Sequence, residues 1–146
     1  MIRPREAQFY NQLVEPFAII STDWAGNIAT FSPELLGLKN PMYDDFILGN
    51  INRDALVDLA DSPILARMLT DIKAGVTMCR EQCEYFSVCG GGEPVNKLAE
   101  NRTFASTETS YCRITKMRAT DLVLDALDRI PPEGFDTAAI ARVMGA

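Results

Sequence analysis

Cys79-Arg-Glu-Gln-Cys-Glu-Tyr-Phe-Ser-Val-Cys-Gly-Gly-Gly-Glu-Pro-Val-Asn-Lys97 is the stretch of sequence that decides how this chain folds. It contains three of the four cysteines, and the full spacing is Cys79-x3-Cys83-x5-Cys89-x22-Cys112. From residue 76 to residue 109 the apolar side chains follow no sustained period, so regular secondary structure alone does not account for this part of the chain. We therefore expect the cysteines to bind something that holds the stretch in place.

The cysteine spacing predicts a metal site made of sulfur ligands. The chain has no histidine, and an all-sulfur ligand set selects soft metals, as iron–sulfur clusters or zinc. Three thiols from one loop and a fourth from a predicted helix can surround an iron–sulfur cluster. The glycine run 90–92 can adopt positive φ and allow backbone N–H groups to come close. We predict that Cys79, Cys83, Cys89 and Cys112 bind one iron–sulfur cluster.

Other arrangements of the same cysteines remain open at this point. Structural zinc commonly uses two closely spaced ligand pairs, and only Cys79 and Cys83 form such a pair here. Disulfides are rare in reducing compartments, and four separate core thiols rarely gather in a polar, glycine-rich loop. A zinc site with four cysteine ligands is the main alternative to the cluster.

Composition predicts one globular domain over residues 1–146. Hydrophobic residues make up 47% and charged residues 23% of the chain, which is close to globular averages. The net charge is −6 with no basic stretch, so we expect no nucleic-acid partner. The amino end lacks the apolar region of a signal peptide, and no run reaches the ~18 apolar residues that span a bilayer. We expect a cytoplasmic protein with no membrane partner, and without histidine there is no Ser-His-Asp triad.

The segments around the Cys-rich stretch predict a mixed α and β fold. Hydrophobic periodicity and turn residues give the boundaries. The predicted elements are a helix over residues 5–14, a β-hairpin over 17–31, a short strand over 46–51, helical structure over 53–74 with a break at Ser62-Pro63 and an end at Gly75, a helix over 110–130, and a short helix over 136–144. In the helix over 110–130 the predicted buried face consists of Ile114, Met117, Leu122, Leu124 and Leu127.

The Cys-rich stretch, followed by Glu100-Asn-Arg-Thr-Phe-Ala-Ser-Thr-Glu-Thr-Ser-Tyr-Cys-Arg113, closely resembles the SPASM region of radical SAM peptide maturases. It is most similar to the maturases that form cyclophane crosslinks in ribosomally made peptides. The resemblance extends back through Asp23-Trp-Ala-Gly-Asn-Ile-Ala-Thr-Phe-Ser-Pro-Glu-Leu-Leu36 and covers residues 15–127. It implies a small α+β SPASM-like domain with an N-terminal β-hairpin, central helices, a cluster-binding segment over 79–112 and C-terminal helices.

The chain departs from the SPASM pattern in a consistent way. The family pattern has seven cysteines and two auxiliary [4Fe–4S] clusters. Phe31 and Glu93 stand where ligands of the first cluster are expected, and the first gap of the central motif is one residue longer. All four ligands of the second cluster are present. The resemblance therefore implies a single [4Fe–4S] cluster bound by the four cysteines.

Radical SAM catalysis needs a separate Cys-x3-Cys-x2-Cys motif on a large barrel, and both are absent here. Phe86 occupies the place of the third cysteine, so the chain is not a radical SAM enzyme by itself. The resemblance implies an auxiliary module for electron transfer or substrate docking. Its expected partners are a radical SAM catalytic domain or protein and the precursor peptide. There are two rival hypotheses. One is a structural or interaction domain whose fold is held together by zinc, and the other is a stand-alone redox carrier.

Several residues beside the cysteines have two possible roles. The polar residues Asn96, Lys97, Glu100, Thr107 and Glu108 commonly order loops by hydrogen bonding. Alternatively, Lys97 or Arg113 places a positive charge near the thiolates and raises the cluster potential. The aromatic residues Tyr85, Phe86 and Phe104 could shield the cluster, although core packing is their default role.

Overall fold

A three-stranded antiparallel sheet forms the amino-terminal part of the fold. The computed structural model describes residues 11–129. Strand β1 (Ile20–Thr22) pairs with β2 (Asn27–Thr30), and β2 pairs on its other edge with β3 (Gly49–Asn50). The predicted hairpin and the third strand are confirmed, with shorter strands than the sequence pattern indicated.

Five α-helices follow the sheet within residues 11–129. They are α1 (Pro63–Gln82), α2 (Phe86–Cys89), α3 (Pro94–Asn101), α4 (Ser110–Cys112) and α5 (Arg118–Asp128). A π-helical turn, Arg113–Met117, joins α4 to α5 without interruption. The predicted α+β fold class is confirmed. The predicted helix over residues 5–14 lies mostly outside the described residues, and the one over 136–144 lies entirely outside them.

Helix α1 is longer than its sequence predicted. It begins at Pro63, whose missing N–H suits the first helical position, so the predicted break is confirmed. The prediction that Gly75 ends it is wrong, because α1 continues to Gln82. Gly75 is buried, and a Cβ there would collide with the Phe104 carbonyl oxygen and lie 3.0 Å from that of Ser106. This glycine therefore permits a close backbone contact inside the helix.

The view of residues 76–109 as non-periodic also needs correction. The end of α1 and all of α2 and α3 lie in this range. Helix α2 has four residues and α3 has eight, which is too short for hydrophobic periodicity to stand out. The stretch is a series of short helices separated by turns.

One hydrophobic core joins the sheet to the helices. Phe104, in the loop after α3, packs its ring against Tyr43 and Phe46 with centroid distances of 5.1 and 6.2 Å. Its role is therefore core packing, as the default interpretation held. The core comprises Ile28, Ala29, Phe31, Leu35, Tyr43, Phe46, Leu48, Leu59, Leu65, Met68, Ile72 and Phe104.

The helix predicted over residues 110–130 is present as α4, the π-helical turn and α5, but its predicted apolar face is mostly exposed, with Met117 partly buried. Ile114 is 71% exposed, Leu122 is 56% exposed, and Leu124 and Leu127 are also exposed. The predicted burial of this face is therefore wrong. Apolar periodicity marks a face suited to packing, but it does not identify the surface that the face packs against.

From residue 11 to residue 129, no helix combines the length and the apolar character needed to cross a bilayer.

We predict that Gly75→Ala destabilises the protein. A Gly→Ala change inside a helix ordinarily stabilises it by about 1 kcal/mol. Here the added methyl group meets backbone carbonyl groups, and overpacking of this kind costs about 1–3 kcal/mol. Urea unfolding followed by circular dichroism should show a lower free energy of unfolding. The exposed neighbour variant Ala74→Gln should remain within about 0.5 kcal/mol of the wild type. A more stable Gly75→Ala protein would contradict the close contact.

Candidate functional site

All four cysteines line the same cavity, which has a volume of about 720 Å³. Cys79 lies in the last turn of α1 and is 7% exposed. Cys83 follows α1 directly, Cys89 ends α2, and Cys112 ends α4. The structure thus brings together residues from three helices and one turn.

The thiols are near enough to influence one another electrostatically. Burial raises the pKa of Cys83, and the negative charges of Cys89, Cys79 and Cys112 raise it further, while a backbone N–H of Tyr85 acts in the opposite direction. All four thiols are free, so the disulfide alternative is not realised. As the side chains stand, residues 11–129 contain no group of three or more His, Cys, Asp or Glu residues arranged to hold a metal ion.

A compact turn positions the first three cysteines. The Cys83 N–H donates to the Cys79 carbonyl oxygen at 2.9 Å, and the Phe86 N–H donates to the Cys83 carbonyl oxygen at 3.1 Å. The Arg80 guanidinium lies over the Phe86 ring at 5.2 Å from its centroid. Phe86, one of the aromatic residues that could shield a cluster, therefore packs against α1.

The glycine run after Cys89 adopts the predicted backbone conformation. Gly90, Gly91 and Gly92 have φ values of 62°, 102° and 74°, a region that other residues rarely enter. The Asn11 side-chain amide donates to the carbonyl oxygens of Gly90 and Gly92 at 3.3 and 2.8 Å. The glycine loop is thereby tied to the amino-terminal part of the described chain.

Lys97 lies at the wall of this cavity and is 4% exposed. Its ammonium group donates to the Gly75 carbonyl oxygen at 3.1 Å and to Cys79 Sγ at 3.2 Å. Of the two residues that could bring a positive charge near the thiolates, Lys97 does contact a cysteine sulfur. Arg113 instead forms an exposed ion pair with Glu108 at 2.9 Å.

Hydrogen bonds at the start of α4 position Cys112. The Thr109 hydroxyl oxygen accepts from the Cys112 N–H at 3.0 Å, and the Thr109 N–H donates to Cys112 Sγ at 3.2 Å. The Glu100 carboxylate accepts the N–H groups of Ser110 and Tyr111 at 2.6 and 3.1 Å. These N–H groups have no partner inside the helix, so the carboxylate completes its first turn.

The remaining predicted residues have defined places. Asn96 donates to the Glu93 carboxylate at 2.7 Å, and Thr107 lines the cavity. The Tyr85 hydroxyl donates to the Asp121 carboxylate at 2.7 Å, which ties α5 to the cysteine turn and raises the pKa of Tyr85.

Sequence reasoning missed Thr109, Asn11 and Asp121 as contributors to the site. Thr109 directly precedes the helix predicted over 110–130, and threonine is favoured at that N-cap position, so it could have been recognised. Asn11 contacts residues about 80 positions away in the chain, and no local pattern predicts such a contact.

Comparison with known proteins yields one informative relative. The chain is 42% identical over 119 residues to the uncharacterized protein sll1766 of Synechocystis sp. strain PCC 6803. The matched residues make up 82% of this chain and 30% of the relative, so the chain spans about 30% of the length of the curated relative it matches. No protein-family model and no solved structure matches the chain.

We predict that the Glu100 cap supports the fold in a pH-dependent manner. Hydrogen bonds from the backbone N–H of Ser110, and to a smaller extent from that of Tyr111, lower the pKa of Glu100 from its ordinary value of 4.5. Because the folded pKa lies below the unfolded one, the stabilisation is complete above pH 4.5 and is lost as the pH falls through the lowered pKa.

Unfolding of the metal-free protein across pH tests this cap. Glu100→Gln should be less stable than the wild type at neutral pH, and the difference should shrink on acidification below 4.5. The matched control Glu81→Gln changes an exposed carboxylate in α1 and should follow the wild type. An equal difference at acidic and neutral pH would contradict the role of the ionised carboxylate.

Proposed function

We propose that this chain is an auxiliary module that holds one [4Fe–4S] cluster and acts in the maturation of a ribosomally made peptide. Cys79, Cys83, Cys89 and Cys112 are the proposed ligands. The observation that carries the proposal is that Cys112 lines the same cavity as the three cysteines of the Cys-rich stretch.

The volume of the cavity and the type of donor atom on its wall support a cluster of this kind. A zinc ion binds all its thiolates at about 2.3 Å from one centre. In a [4Fe–4S] cluster each thiolate binds a different iron, so the sulfur atoms surround a larger volume. The four thiols line a cavity of about 720 Å³ and, as they stand, are not gathered around one point, which favours the larger group over a single ion. The all-sulfur donor set is also the one that Fe–S clusters use.

When bound, the cluster supplies one-electron oxidation and reduction. The protein residues define what surrounds it. Cys79 is buried in α1, Cys83 lies in the turn after α1, and Cys89 ends α2. With four cysteine ligands no iron has a free position for substrate, which favours electron transfer or docking over direct substrate binding to iron.

Two observations support a role within a larger assembly. The matched residues form only 30% of the Synechocystis relative, so a similar domain occurs there within a longer protein. Trp24 at the hairpin turn is 98% exposed, and the apolar face of α5 is also open. Exposed apolar surfaces of this kind are typical of protein contacts. With the resemblance to SPASM regions, they support a radical SAM catalytic domain or protein as the partner.

We predict that anaerobic purification or reconstitution yields a brown protein with about four irons and four sulfides per chain. Each of the single variants Cys79→Ala, Cys83→Ala, Cys89→Ala and Cys112→Ala should lower the iron content and the visible absorption, because each removes the ligand of one iron. Iron and sulfide analysis with visible and electron paramagnetic resonance spectra measures this. The control Ser87→Ala, in α2 between two proposed ligands, should retain the full iron content.

Other outcomes separate the rival functions. A colourless protein with one zinc per chain, bound with fold intact, would reject the cluster and favour a structural site. A cluster that cycles reversibly without association with any radical SAM protein would favour a stand-alone redox carrier.

A further inference from the structure

The Lys97 side chain is buried beside one proposed cluster ligand. Taking an ammonium group out of water is costly unless charged or polar groups compensate for it. The partners of Lys97 Nζ are a neutral carbonyl oxygen, that of Gly75, and Cys79 Sγ. Residues 11–129 contain two ion pairs, which involve Lys39 and Arg113, so neither of them pairs Lys97 with a carboxylate. The site therefore presents a buried positive charge to a cysteine sulfur.

The fold makes specific room for this side chain. A Cβ on Gly75 would lie 3.2 Å from Lys97 Nζ, which is a tight contact, whereas one on Gly92 would make an ordinary contact with Lys97 Cε at 3.9 Å. Lys97 thus runs between two glycines, one inside α1 and one at the end of the glycine run. Helix α3, which begins at Pro94, carries Lys97 in its first turns. The Lys97 side chain is therefore enclosed by the fold and does not extend into solvent.

We infer that Lys97 is the positioning residue that compensates the negative charge of the cluster and sets its reduction potential. This inference rests on the proposed function. Reduction adds one electron from a low-potential one-electron donor to the cluster, and no covalent bond forms or breaks. The electron increases the negative charge of the thiolate-bound cluster. A nearby ammonium in a site of low polarity stabilises the reduced form more than the oxidised form. Lys97 therefore raises the reduction potential.

The test is a redox titration of the reconstituted full chain with dithionite, followed by electron paramagnetic resonance of the reduced cluster. Lys97→Met keeps the length of the side chain and removes its charge and its hydrogen bonds. We expect the ratio of reduced to oxidised cluster at a fixed applied potential to fall at least about tenfold, which is a shift of ~59 mV for a one-electron couple. Lys97→Gln keeps N–H donors without the charge, and it should shift the potential in the same direction.

Lys73→Met is the matched control, because it removes the same charge from an exposed position on α1. It should leave the potential unchanged, since solvent screens an exposed charge. If Lys97→Met and Lys97→Gln both kept the wild-type reduction potential, the inference would be overturned, but the proposed cluster would not be contradicted. Loss of the cluster from both variants, with the wild type fully loaded, would make Lys97 a structural residue and also overturn it. A wild-type protein that takes up no iron and sulfide would reject the proposed function, and this inference would fall with it.

Discussion

The close approach of helix α1 to the loop after α3, made possible by Gly75, is the contact on which the rest of the structure depends. The carbonyl oxygens of Phe104 and Ser106 come so near the helix that no larger residue fits. From the same loop the Phe104 ring enters the aromatic cluster of the core. The Gly75 carbonyl oxygen also accepts from Lys97. One glycine thus joins the hydrophobic core, α3 and the wall of the cysteine cavity.

This arrangement explains why the cavity can be built from such short elements. Helices α2 and α4 have four and three residues, too few to be stable by their own hydrogen bonds. Their positions come from contacts at their ends. The glycine run, in which all three φ angles are positive, directly follows the end of α2. At α4, Glu100 and Thr109 accept hydrogen bonds from backbone N–H groups of the first turn. Bound metal would add to these contacts, because ligation that exists only in the folded state stabilises that state.

The sequence was informative where local chemistry determines structure, and uninformative where distant segments meet. The turn residues of the hairpin, Pro63 at the start of α1 and the glycine run were all read correctly from short patterns. Gly75 was misread because a glycine that permits close packing looks the same in sequence as one that ends a helix. The clustering of the four cysteines around one cavity agrees with their spacing, whereas the contact of Asn11 with the glycine loop has no local signal.

The exposed apolar residues bear on how such a module would work. In the proposed cluster all four irons would have a cysteine ligand, so an electron would pass through the residues that enclose it. Cys79 and Lys97 are almost fully buried, whereas Cys83, Cys89 and Cys112 are partly exposed. Electron exchange would therefore be most direct on the side of the latter three. The Tyr85–Asp121 hydrogen bond holds α5, with its exposed apolar face, against the same cysteine turn. A partner that covers that face would thus be brought close to the accessible side of the site, and one surface would serve both docking and the proposed electron transfer.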